Sequence, residues 1–241
     1  MESTPKVLIG VPVCNLYEYC FDEFLERIRN LSYKNYEILL VDNSKEENFF
    51  NKIKSLDVNV RRIPYLEKMR ARVIEAHNKL REYMLSNNFD YLLVLDQDII
   101  VPKDVLEKLL FRGKDAISGL YFGHHQLPNG ENKVMPFAWA FMNKNQGHWG
   151  DVRYLNDEET WNDKLIEIAF SGMGCVFLSK KVMEKIKFRY DEKIDSWDDR
   201  WLGFDLAKEG VKFYLDTNVK CKHLYLKRPF DYWEIKKKGL V

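Results

Sequence analysis

The chain has 241 residues, of which 46% are hydrophobic and 31% charged, and its formal net charge at pH 7 is +1. This length and composition are typical of one large or two small packed domains, and they exclude a disordered or fibrous chain. Because a nearly neutral chain creates no global field that attracts nucleic acid or an anionic membrane, we expect no nucleic acid partner.

The distribution of apolar residues predicts a cytoplasmic protein without a membrane span. The longest near-continuous apolar stretch, residues 168–178, is shorter than the roughly 18 residues that a spanning helix needs. The apolar run at residues 7–14 is broken by Pro12 and suits a first strand better than a cleavable signal. The four cysteines are widely spaced and form no CxxC pair, which favours free, buried thiols over disulfides.

The first part of the chain alternates between strand and helix periodicity. Strands are predicted at residues 7–13, 37–41, 58–63 and 90–95, with amphipathic helices between them at about residues 17–31, 49–56 and 67–85. This alternation predicts an α/β fold with a mostly parallel, doubly wound sheet flanked by helices. In such sheets ligands bind beyond the carboxyl ends of the strands.

The second part of the chain is less regular. The pattern predicts a strand at residues 115–122, then loops around a site over residues 123–163, which show no clear periodicity. Regular elements are predicted again as a strand at 168–178, helices at 179–186 and about 199–208, the latter ended by Gly210, and strands at 211–216 and 219–226. No repeat or linker interrupts the chain, so residues 1–226 are predicted to form one domain.

Asp96 and Asp98 follow the predicted strand at residues 90–95 and are separated by Gln97. Two carboxylates in this position are poorly solvated unless something binds them, and a hard divalent cation is the natural partner. A cation shared with a diphosphate would neutralise charge on a departing nucleotide. The alternative is that Asp96 caps a turn and Asp98 is exposed, and the spacing alone leaves both interpretations open.

Other polar residues stand at the ends of predicted elements. Asp42 ends the predicted strand at 37–41, where its carboxylate can contact a nucleoside or cap a turn. Asp198 and Asp199 begin a predicted helix between two tryptophans, where capping is an alternative for either residue but does not require two adjacent acids. His223, on the last predicted strand, is by itself more often a core or surface residue than a metal ligand.

Taken in order, these segments resemble the inverting, nucleotide-sugar-dependent glycosyltransferases of the GT-A fold, in particular family two. The matching features are the opening strand with its Pro12-x-x-Asn15 turn, Asp42 at the second strand end, the DxD motif Asp96-Gln97-Asp98, the glycine-containing segment 170–177, Asp198-Asp199 in place of a Glu-Asp motif, and His223. The resemblance covers nearly the whole chain and implies a nucleotide-sugar half, residues 1–111, and an acceptor half, residues 112–226.

The resemblance also implies a role for each matching residue. It assigns Pro12, Asn15, Asp42, Gln97 and one of Arg70 and Arg72 to the nucleotide sugar, Asp96 to the ribose or a metal-bound water, Asp98 and His223 to the metal, and Asp199, or else Asp198, to the general base. An imidazole beside carboxylate oxygens favours Mn²⁺ over Mg²⁺. The base would deprotonate an acceptor hydroxyl opposite the departing diphosphate, so that one displacement inverts the anomeric carbon.

Three positions depart from the family pattern. Asp198 replaces the usual Glu of the Glu-Asp motif, and Asn43 stands where a second acidic residue usually follows Asp42. The basic residue after the third strand can be either Arg70 or Arg72, and a solvated helix face is an equal alternative for each. The nucleoside contacts are therefore predicted less sharply than the DxD motif.

Aromatic residues suggest the nature of the acceptor. Five tryptophans fall in segments that would surround an acceptor pocket: Trp139, Trp149, Trp161, Trp197 and Trp201. Their faces suit a saccharide or lipid-linked saccharide, although core packing is the more common role of any single one. The basic and aromatic tail, residues 227–241, suggests peripheral contact with the inner face of a membrane, for which a tail docked on the domain is the more common alternative.

Three functions compete at this point. The favoured one is a metal-dependent glycosyltransferase that uses a nucleoside diphosphate sugar. A nucleotidyltransferase is disfavoured because residues 11–16 contain no glycine for a phosphate-binding loop. A catalytically silent nucleotide-binding module remains as the alternative from another class.

Overall fold

The computed structural model describes residues 4–127, 129–142, 152–194 and 196–230. In chain order the strands are β1 (Val7–Val13), β2 (Tyr36–Asp42), β3 (Asn59–Arg62), β4 (Tyr91–Leu95), β5 (Ile99–Ile100), β6 (Ala116–Leu120), β7 (Phe122–Gln126), β8 (Asn132–Pro136), β9 (Ala138–Phe141), β10 (Val152–Tyr154), β11 (Leu165–Ile168), β12 (Phe170–Ser171), β13 (Cys175–Ser179), β14 (Phe213–Lys220) and β15 (Lys222–His223). The helices are α1 (Glu18–Arg29), α2 (Asn48–Lys54), α3 (Met69–Ser86), α4 (Val105–Phe111), α5 (Asp157–Trp161), α6 (Lys180–Lys185) and α7 (Asp198–Lys208).

The main sheet has the order β11-β14-β6-β13-β4-β1-β2-β3 within the described part of the chain. The strands β4, β1, β2 and β3 are parallel neighbours, and β14 is parallel to β6. The strand β13 lies antiparallel between β4 and β6, and β11 is antiparallel to β14. The sheet is therefore mixed and mostly parallel, which confirms the predicted α/β class.

Helices cover both faces of the main sheet, and a single strand contributes side chains to the cores on both faces. Along β1, Ile9 belongs to a core with Phe21 and Phe24 of α1, whereas the adjacent Leu8 belongs to a core with Leu80 of α3. Gly10 lets α3 approach β1 closely, because a Cβ atom there would lie 3.0 Å from the Leu80 side chain. This double burial is why β1 and β4 are continuous apolar runs in the sequence.

The prediction of loops over residues 123–163 is wrong. This part contains α5 and the strands β8, β9 and β10, together with most of β7. The β7–β8 hairpin pairs Phe122 with Pro136, and β9 pairs with both β10 and β12. Four of the five β8 residues are exposed or half-buried, so they show no alternation of apolar and polar residues that would predict a strand. The helix α4 was also not predicted.

Four other predicted strands have different limits. The predicted strand at residues 168–178 is broken into β12 and β13 by a turn around Gly172 and Gly174, which the apolar sequence does not reveal. The predicted strand at 211–216 and the start of the one at 219–226 are joined in the single strand β14, which has a register shift between Asp216 and Lys220; the rest of the second prediction contains only the two-residue strand β15 and the start of a 3-10 turn. The predicted strand at 115–122 divides into β6 and the start of β7.

The remaining predictions concern cysteines, membranes and the tail. All four cysteines are free, as predicted, but only Cys20 and Cys175 are buried, whereas Cys14 and Cys221 are half-buried. Among the described residues, the helices are too short or too polar to cross a bilayer. From residue 231 onward the predicted tail lies outside the described residues. The cytoplasmic location, the division at residues 111 and 226, and membrane contact stay predictions.

Candidate active site

The carboxyl ends of β1, β2 and β4 border a cavity of about 1330 Å³. Of the predicted residues, those that line it are Pro12, Arg72, Asp96, Gln97, Asp98, Trp139, Trp197, Asp198, Asp199 and His223. Predicted residues that do not line it are Asn15, Asp42, Arg70, Trp161 and Trp201. Trp149 lies outside the described residues. The cavity therefore brings together residues from both halves of the chain.

Asp98 and His223 meet on one wall of this cavity. The strand β15 pairs with β5, and this pairing places His223 Nε2 3.3 Å from Asp98 Oδ2. Arg228 also contacts Asp98 Oδ2, with its Nη2 atom at 2.7 Å. Burial alone would raise the pKa of Asp98, but the neighbouring His223 and Arg228 outweigh it and hold the pKa below its ordinary value. Asp98 is therefore an ionised carboxylate at neutral pH.

The donor atoms of Asp98 and His223 suit a divalent cation. His223 Nδ1 donates a hydrogen bond to the Phe122 carbonyl oxygen at 2.8 Å, so in the neutral ring Nε2, 3.3 Å from Asp98 Oδ2, carries a lone pair that a cation can use. A metal-ligating histidine commonly has such a second hydrogen bond. Within the described ranges, no three His, Cys, Asp or Glu side chains are grouped to hold a metal. Two protein ligands still fit a cation that takes its other ligands from a diphosphate and water.

The other two residues of the DxD motif have different environments. Asp96 lies half-buried on the cavity floor, and burial, together with the negative charge of Asp98, raises its pKa to about 6. Gln97 joins two loops, because its side chain accepts a hydrogen bond from Cys14 N and donates one to the Tyr17 carbonyl oxygen, each at 2.9 Å. Gln97 thus fixes the loop after β1 against the end of β4.

Asp198 is held by a buried histidine that lies on α3. The Asp198 Oδ2 atom is 2.6 Å from His77 Nδ1, and the two side chains are 3% and 0% exposed. The other ring nitrogen of His77, Nε2, is buried and has no hydrogen-bond partner. With Asp198 ionised, Nδ1 carries the proton and donates to the carboxylate. This bond fixes the first turn of α7 to α3.

Asp199 lines the cavity beside Asp198 and is only half-buried. Its Oδ1 atom accepts a hydrogen bond from Arg200 N at 2.6 Å. Desolvation, followed by the negative charge of Asp198, raises the pKa of Asp199 to about 7. A carboxylate with this pKa can accept and release a proton near neutral pH.

The end of β2 presents Asn43, and not Asp42, to the cavity. Asp42 is fully buried, and its Oδ1 atom accepts a hydrogen bond from Ser44 Oγ at 2.6 Å, while Arg62 Nε lies 3.5 Å from Oδ2. Asn15 is exposed nearby, and its backbone N–H donates to Ser44 Oγ at 2.9 Å. The contacts of Asp42 therefore match the turn-forming alternative, and nucleoside contact by Asp42 and Asn15 stays a prediction.

The structure separates the two arginines at the start of α3. Arg72 lines the cavity, where its Nη1 atom donates to the Glu67 carbonyl oxygen at 2.9 Å and its guanidinium lies over the Tyr65 ring. Arg70 lies over the Trp197 ring, 5.3 Å from its centroid, and does not line the cavity. Arg72 is thus the arginine of the pair that has access to a ligand in the cavity.

An aromatic group surrounds His125 on the wall of the cavity to which β7, β9 and β10 contribute. The His125 ring lies 4.4 Å from Phe137, 5.5 Å from Trp139 and 5.1 Å from Tyr154 between ring centroids. His125 Nε2 is buried without a hydrogen-bond partner, and burial lowers the pKa of His125 to about 4. The imidazole is therefore neutral at physiological pH and has a hydrogen-bonding atom available for a ligand.

The predicted tryptophans divide into two groups. Trp139 and Trp197 line the cavity, and Trp139 is stacked on Phe170 at 4.6 Å. Trp201 is buried, 6% exposed, with Arg189 over its ring. Trp161 is 60% exposed and stacked on Phe122. The suggestion that Trp161 and Trp201 surround the pocket is wrong, and for Trp201 the packing alternative is correct.

Sequence reasoning did not assign His77, His125 or Arg228 to the site. His77 occurs on the apolar face of the predicted helix at residues 67–85, and a buried imidazole requires a polar partner, which was a usable signal. His125 and Arg228 gave no signal of this kind, because both reach the cavity only through pairings that are distant in sequence.

The profile of glycosyl transferase family 2 matches residues 8–187. This match covers most of the chain, so the protein belongs to glycosyl transferase family 2. No curated protein matches the chain in sequence. The family membership agrees with the predicted GT-A-like fold.

Solved structures provide an independent comparison of the fold. The chain is similar to GalNAc-T7 with UDP, GalNAc and Mn²⁺ (12% identity, TM-score 0.63), to the mannosyltransferase PcManGT from Pyrobaculum calidifontis with GDP-Man and Mn²⁺ (15%, 0.61), and to S. aureus TarS (12%, 0.59). These matches cover 92%, 98% and 90% of this chain but only 44%, 61% and 36% of the respective neighbours. At this identity the likeness shows a shared GT-A fold.

Proposed function

We propose that this protein transfers a sugar from a nucleoside diphosphate sugar to a hydroxyl group of a saccharide, with inversion and with the help of a divalent cation. The main observation in support of the proposal is that Asp98, His223 and Asp199 all line one cavity. Asp98 and His223 present donor atoms for a cation, and Asp199 has the pKa of a proton acceptor. Family membership and the nucleotides bound by the structural neighbours support the same function.

The nucleoside diphosphate would occupy the end of the cavity formed by Pro12, Asn43 and Arg72. The Arg72 guanidinium is always charged and can bind phosphate oxygens through several donors. Asn43 offers an amide that can donate to or accept from a base or ribose. Because the neighbours were solved with UDP in one case and GDP-Man in another, both uridine and guanosine donors are compatible with the fold.

Asp98 and His223 would hold the cation, whose chemistry is to neutralise charge on the leaving diphosphate. An imidazole together with a carboxylate favours Mn²⁺ over Mg²⁺. Asp96, whose pKa of about 6 leaves it mostly ionised at neutral pH, would orient the ribose or a water molecule in the same region. Gln97 would keep the loop after β1 in position beneath the diphosphate.

Asp199 would be the general base, with Asp198 as its supporting neighbour. Asp198 is engaged by His77 at 2.6 Å and is nearly inaccessible, whereas Asp199 is half-exposed to the cavity. Asp199 would take the proton from the acceptor hydroxyl. At the same time the hydroxyl oxygen would bond to the anomeric carbon, and the bond between that carbon and the diphosphate would break. Attack from the face opposite the diphosphate inverts that carbon.

The acceptor would lie against the aromatic group around His125. Trp139 and Tyr154 offer ring faces, and the neutral His125 offers a buried nitrogen for a sugar hydroxyl. Apolar ring faces with a few polar groups are the usual composition of a small-molecule site. This composition favours a saccharide, free or linked to a lipid, over a nucleotide as the acceptor.

The first experiment is a thermal-shift assay with a panel of nucleoside diphosphates, with and without Mn²⁺. A ligand at about 100 times its dissociation constant stabilises the folded state by roughly 2.7 kcal/mol. We expect a Mn²⁺-dependent shift for one nucleotide that is absent in Asp98→Ala. The matched control is Asp205→Ala, because Asp205 pairs with Arg189 at 2.8 Å and does not line the cavity.

The same assay can refute the proposal. No shift with any nucleotide would exclude donor binding under these conditions and favour an interaction module. A nucleotide shift without any release of nucleoside diphosphate from the corresponding sugar donor, in the presence of saccharide acceptors, would favour the catalytically silent module. Product analysis by NMR of the anomeric proton would separately decide whether the transfer inverts.

A further inference from the structure

Arg228 occupies the position at which a cation would meet Asp98 and His223. Its Nη2 atom lies 2.7 Å from Asp98 Oδ2 and 3.1 Å from His223 Nε2, and its Nε atom lies 3.1 Å from the same carboxylate oxygen. The guanidinium therefore satisfies both groups at once. Its side chain is 22% exposed, whereas those of His223 and Asp98 are 8% and 2% exposed.

The direction of these hydrogen bonds identifies the guanidinium as a substitute for a metal ion. His223 Nδ1 donates to the Phe122 carbonyl oxygen, so in the neutral ring Nε2 offers a lone pair, and Arg228 donates to it. Asp98 likewise accepts from Arg228. A positive donor thus lies where two electron-pair donors converge, and a divalent cation and this guanidinium exclude each other there.

The segment that carries Arg228 is held mainly by surface contacts. We call residues 225–230 the C-terminal strap. Lys227 pairs with Glu23 at 3.0 Å, but both side chains are largely exposed, and Leu226 is 80% exposed. Tyr225 contacts the rings of His124 and His223 edge-on at 4.9 and 5.0 Å. Phe230 contacts the Tyr17 ring edge-on at 5.5 Å, and the Arg228 guanidinium lies over the same ring, 5.5 Å from its centroid. Exposed ion pairs and few buried contacts are typical of segments that open locally.

We propose that Arg228 is an internal cation that competes with the divalent cation for Asp98 and His223, so that cation binding displaces the C-terminal strap from the cavity. This inference rests on the proposed function, because it assumes that Asp98 and His223 are the cation ligands. In the closed form, the Arg228 guanidinium neutralises Asp98 and the strap covers part of the cavity wall. The chain therefore selects between an internal and an external cation at one position.

The competition predicts how strongly the metal alone binds. A competitor that occupies the site about 90% of the time lowers the apparent affinity for the other ligand about tenfold. Isothermal titration of MnCl₂ without nucleotide should give a dissociation constant about tenfold lower for Arg228→Met than for the natural chain. Asp98→Asn in the Arg228→Met background should abolish that binding.

A matched control separates displacement from simple charge repulsion. Lys222→Met also removes one positive charge close to the site, but Lys222 pairs with Glu23 at 3.0 Å and its side chain is 62% exposed. We expect the Mn²⁺ affinity of Lys222→Met to equal that of the natural chain. An unchanged affinity in Arg228→Met, an equal gain in both variants, or no Mn²⁺ binding by any of the three would overturn the inference.

A second measurement uses the natural chain alone and applies if Arg228→Met fails to fold. The strap contributes backbone hydrogen bonds from Lys227 N to the Leu224 carbonyl oxygen and from Arg228 N to the Tyr225 carbonyl oxygen. Saturating Mn²⁺ should speed amide hydrogen exchange at Lys227 and Arg228, and unchanged exchange would contradict displacement. If no nucleoside diphosphate shifts the melting temperature in the assay described above, the proposed function is wrong, but displacement of the strap by Mn²⁺ is tested independently of that outcome.

Discussion

The carboxylates at the end of β4 and at the start of α7 open onto the same cavity but have opposite electrostatic surroundings. Asp98 faces Arg228 and His223, which hold its pKa below the ordinary value. Asp199 faces Asp198 and Asp96, and its pKa rises to about 7 through desolvation and these like charges. The difference indicates that the first carboxylate is suited to hold a positive charge and the second to hold a proton.

A carboxylate outside the cavity provides a comparison with Asp98 and Asp199, because its surroundings are those of a buried ion pair. Asp216 of β14 is 1% exposed and receives two hydrogen bonds from Arg112, at 2.6 and 3.0 Å. It does not line the cavity. Asp216 is fully paired, whereas Asp199 lies among like charges. Of these two carboxylates, Asp199 is therefore the one whose surroundings lower the stability of the fold and make the group reactive toward protons.

The largest expected effect is on transfer by Asp199→Asn. Removal of a general base lowers the rate by about 10²–10⁴-fold, whereas donor binding should be unchanged because Asp199 lies outside the cation and nucleotide contacts. Initial rates of nucleoside diphosphate release measure the first quantity, and thermal shift with the diphosphate measures the second. Asp205→Asn, on the same helix, should retain the natural rate, and a rate for Asp199→Asn within threefold of it would exclude the base role.

The pH dependence of transfer should follow the same carboxylate. Because only ionised Asp199 accepts a proton, the rate at saturating substrate should rise with pH through the pKa of about 7 and level off above it. Between pH 5 and pH 7 this corresponds to roughly a 50-fold increase. A profile that is flat across this range would contradict deprotonation by Asp199.

The contrast with Asp216 predicts opposite effects on stability. Asp216→Asn leaves Arg112 without its carboxylate and should lower the free energy of unfolding by about 2–3 kcal/mol. Asp199→Asn should raise that free energy at pH 8, because the folded chain no longer has to ionise a carboxyl whose pKa has been raised. Urea denaturation at pH 8 measures both, and a loss of stability in Asp199→Asn would contradict the raised pKa.

The gain in the free energy of unfolding of Asp199→Asn should depend on pH in one direction. A folded-state pKa of about 7 for Asp199 lies above that of an unfolded aspartate, so the natural chain loses stability as pH rises through the interval between the two values. The advantage of Asp199→Asn should therefore be full above pH 7 and shrink as pH falls toward 4. Measurements at pH 8 and pH 5 test this, with Asp205→Asn as the control.

The first half of the fold, up to β5, was predicted well from the sequence because its strands are buried on both faces. The apolar runs of β1, β2 and β4 and the helical period of α3 are unambiguous, and they determine the edge where Asp96 and Asp98 emerge. The second half of the fold was predicted poorly. The strands β7 to β10 are short and largely paired through backbone hydrogen bonds, which the side-chain pattern does not reveal.

The same distinction applies to the site residues. Asp98 and Asp199 follow local motifs, so the sequence could place them. Which of Arg70 and Arg72 reaches the cavity depends on which side of α3 faces it. Arg228 reaches Asp98 only because the fold brings together two segments that are 130 residues apart in the sequence. Neither is encoded in a short pattern, because both result from tertiary packing.

The smallest effect is expected at His77, which acts on the base through Asp198. In His77→Leu, the Asp198 carboxylate loses its partner at 2.6 Å, so it is no longer held in place beside Asp199. Because the negative charge of Asp198 contributes to the raised pKa of Asp199, a displaced Asp198 should move the midpoint of the pH–rate profile away from about 7, while KM for the donor stays constant. His77→Asn places an amide N–H near the position of Nδ1 and should restore the midpoint. If both variants lower the rate equally without moving the midpoint, His77 merely joins α3 to α7 and does not position Asp198 beside Asp199.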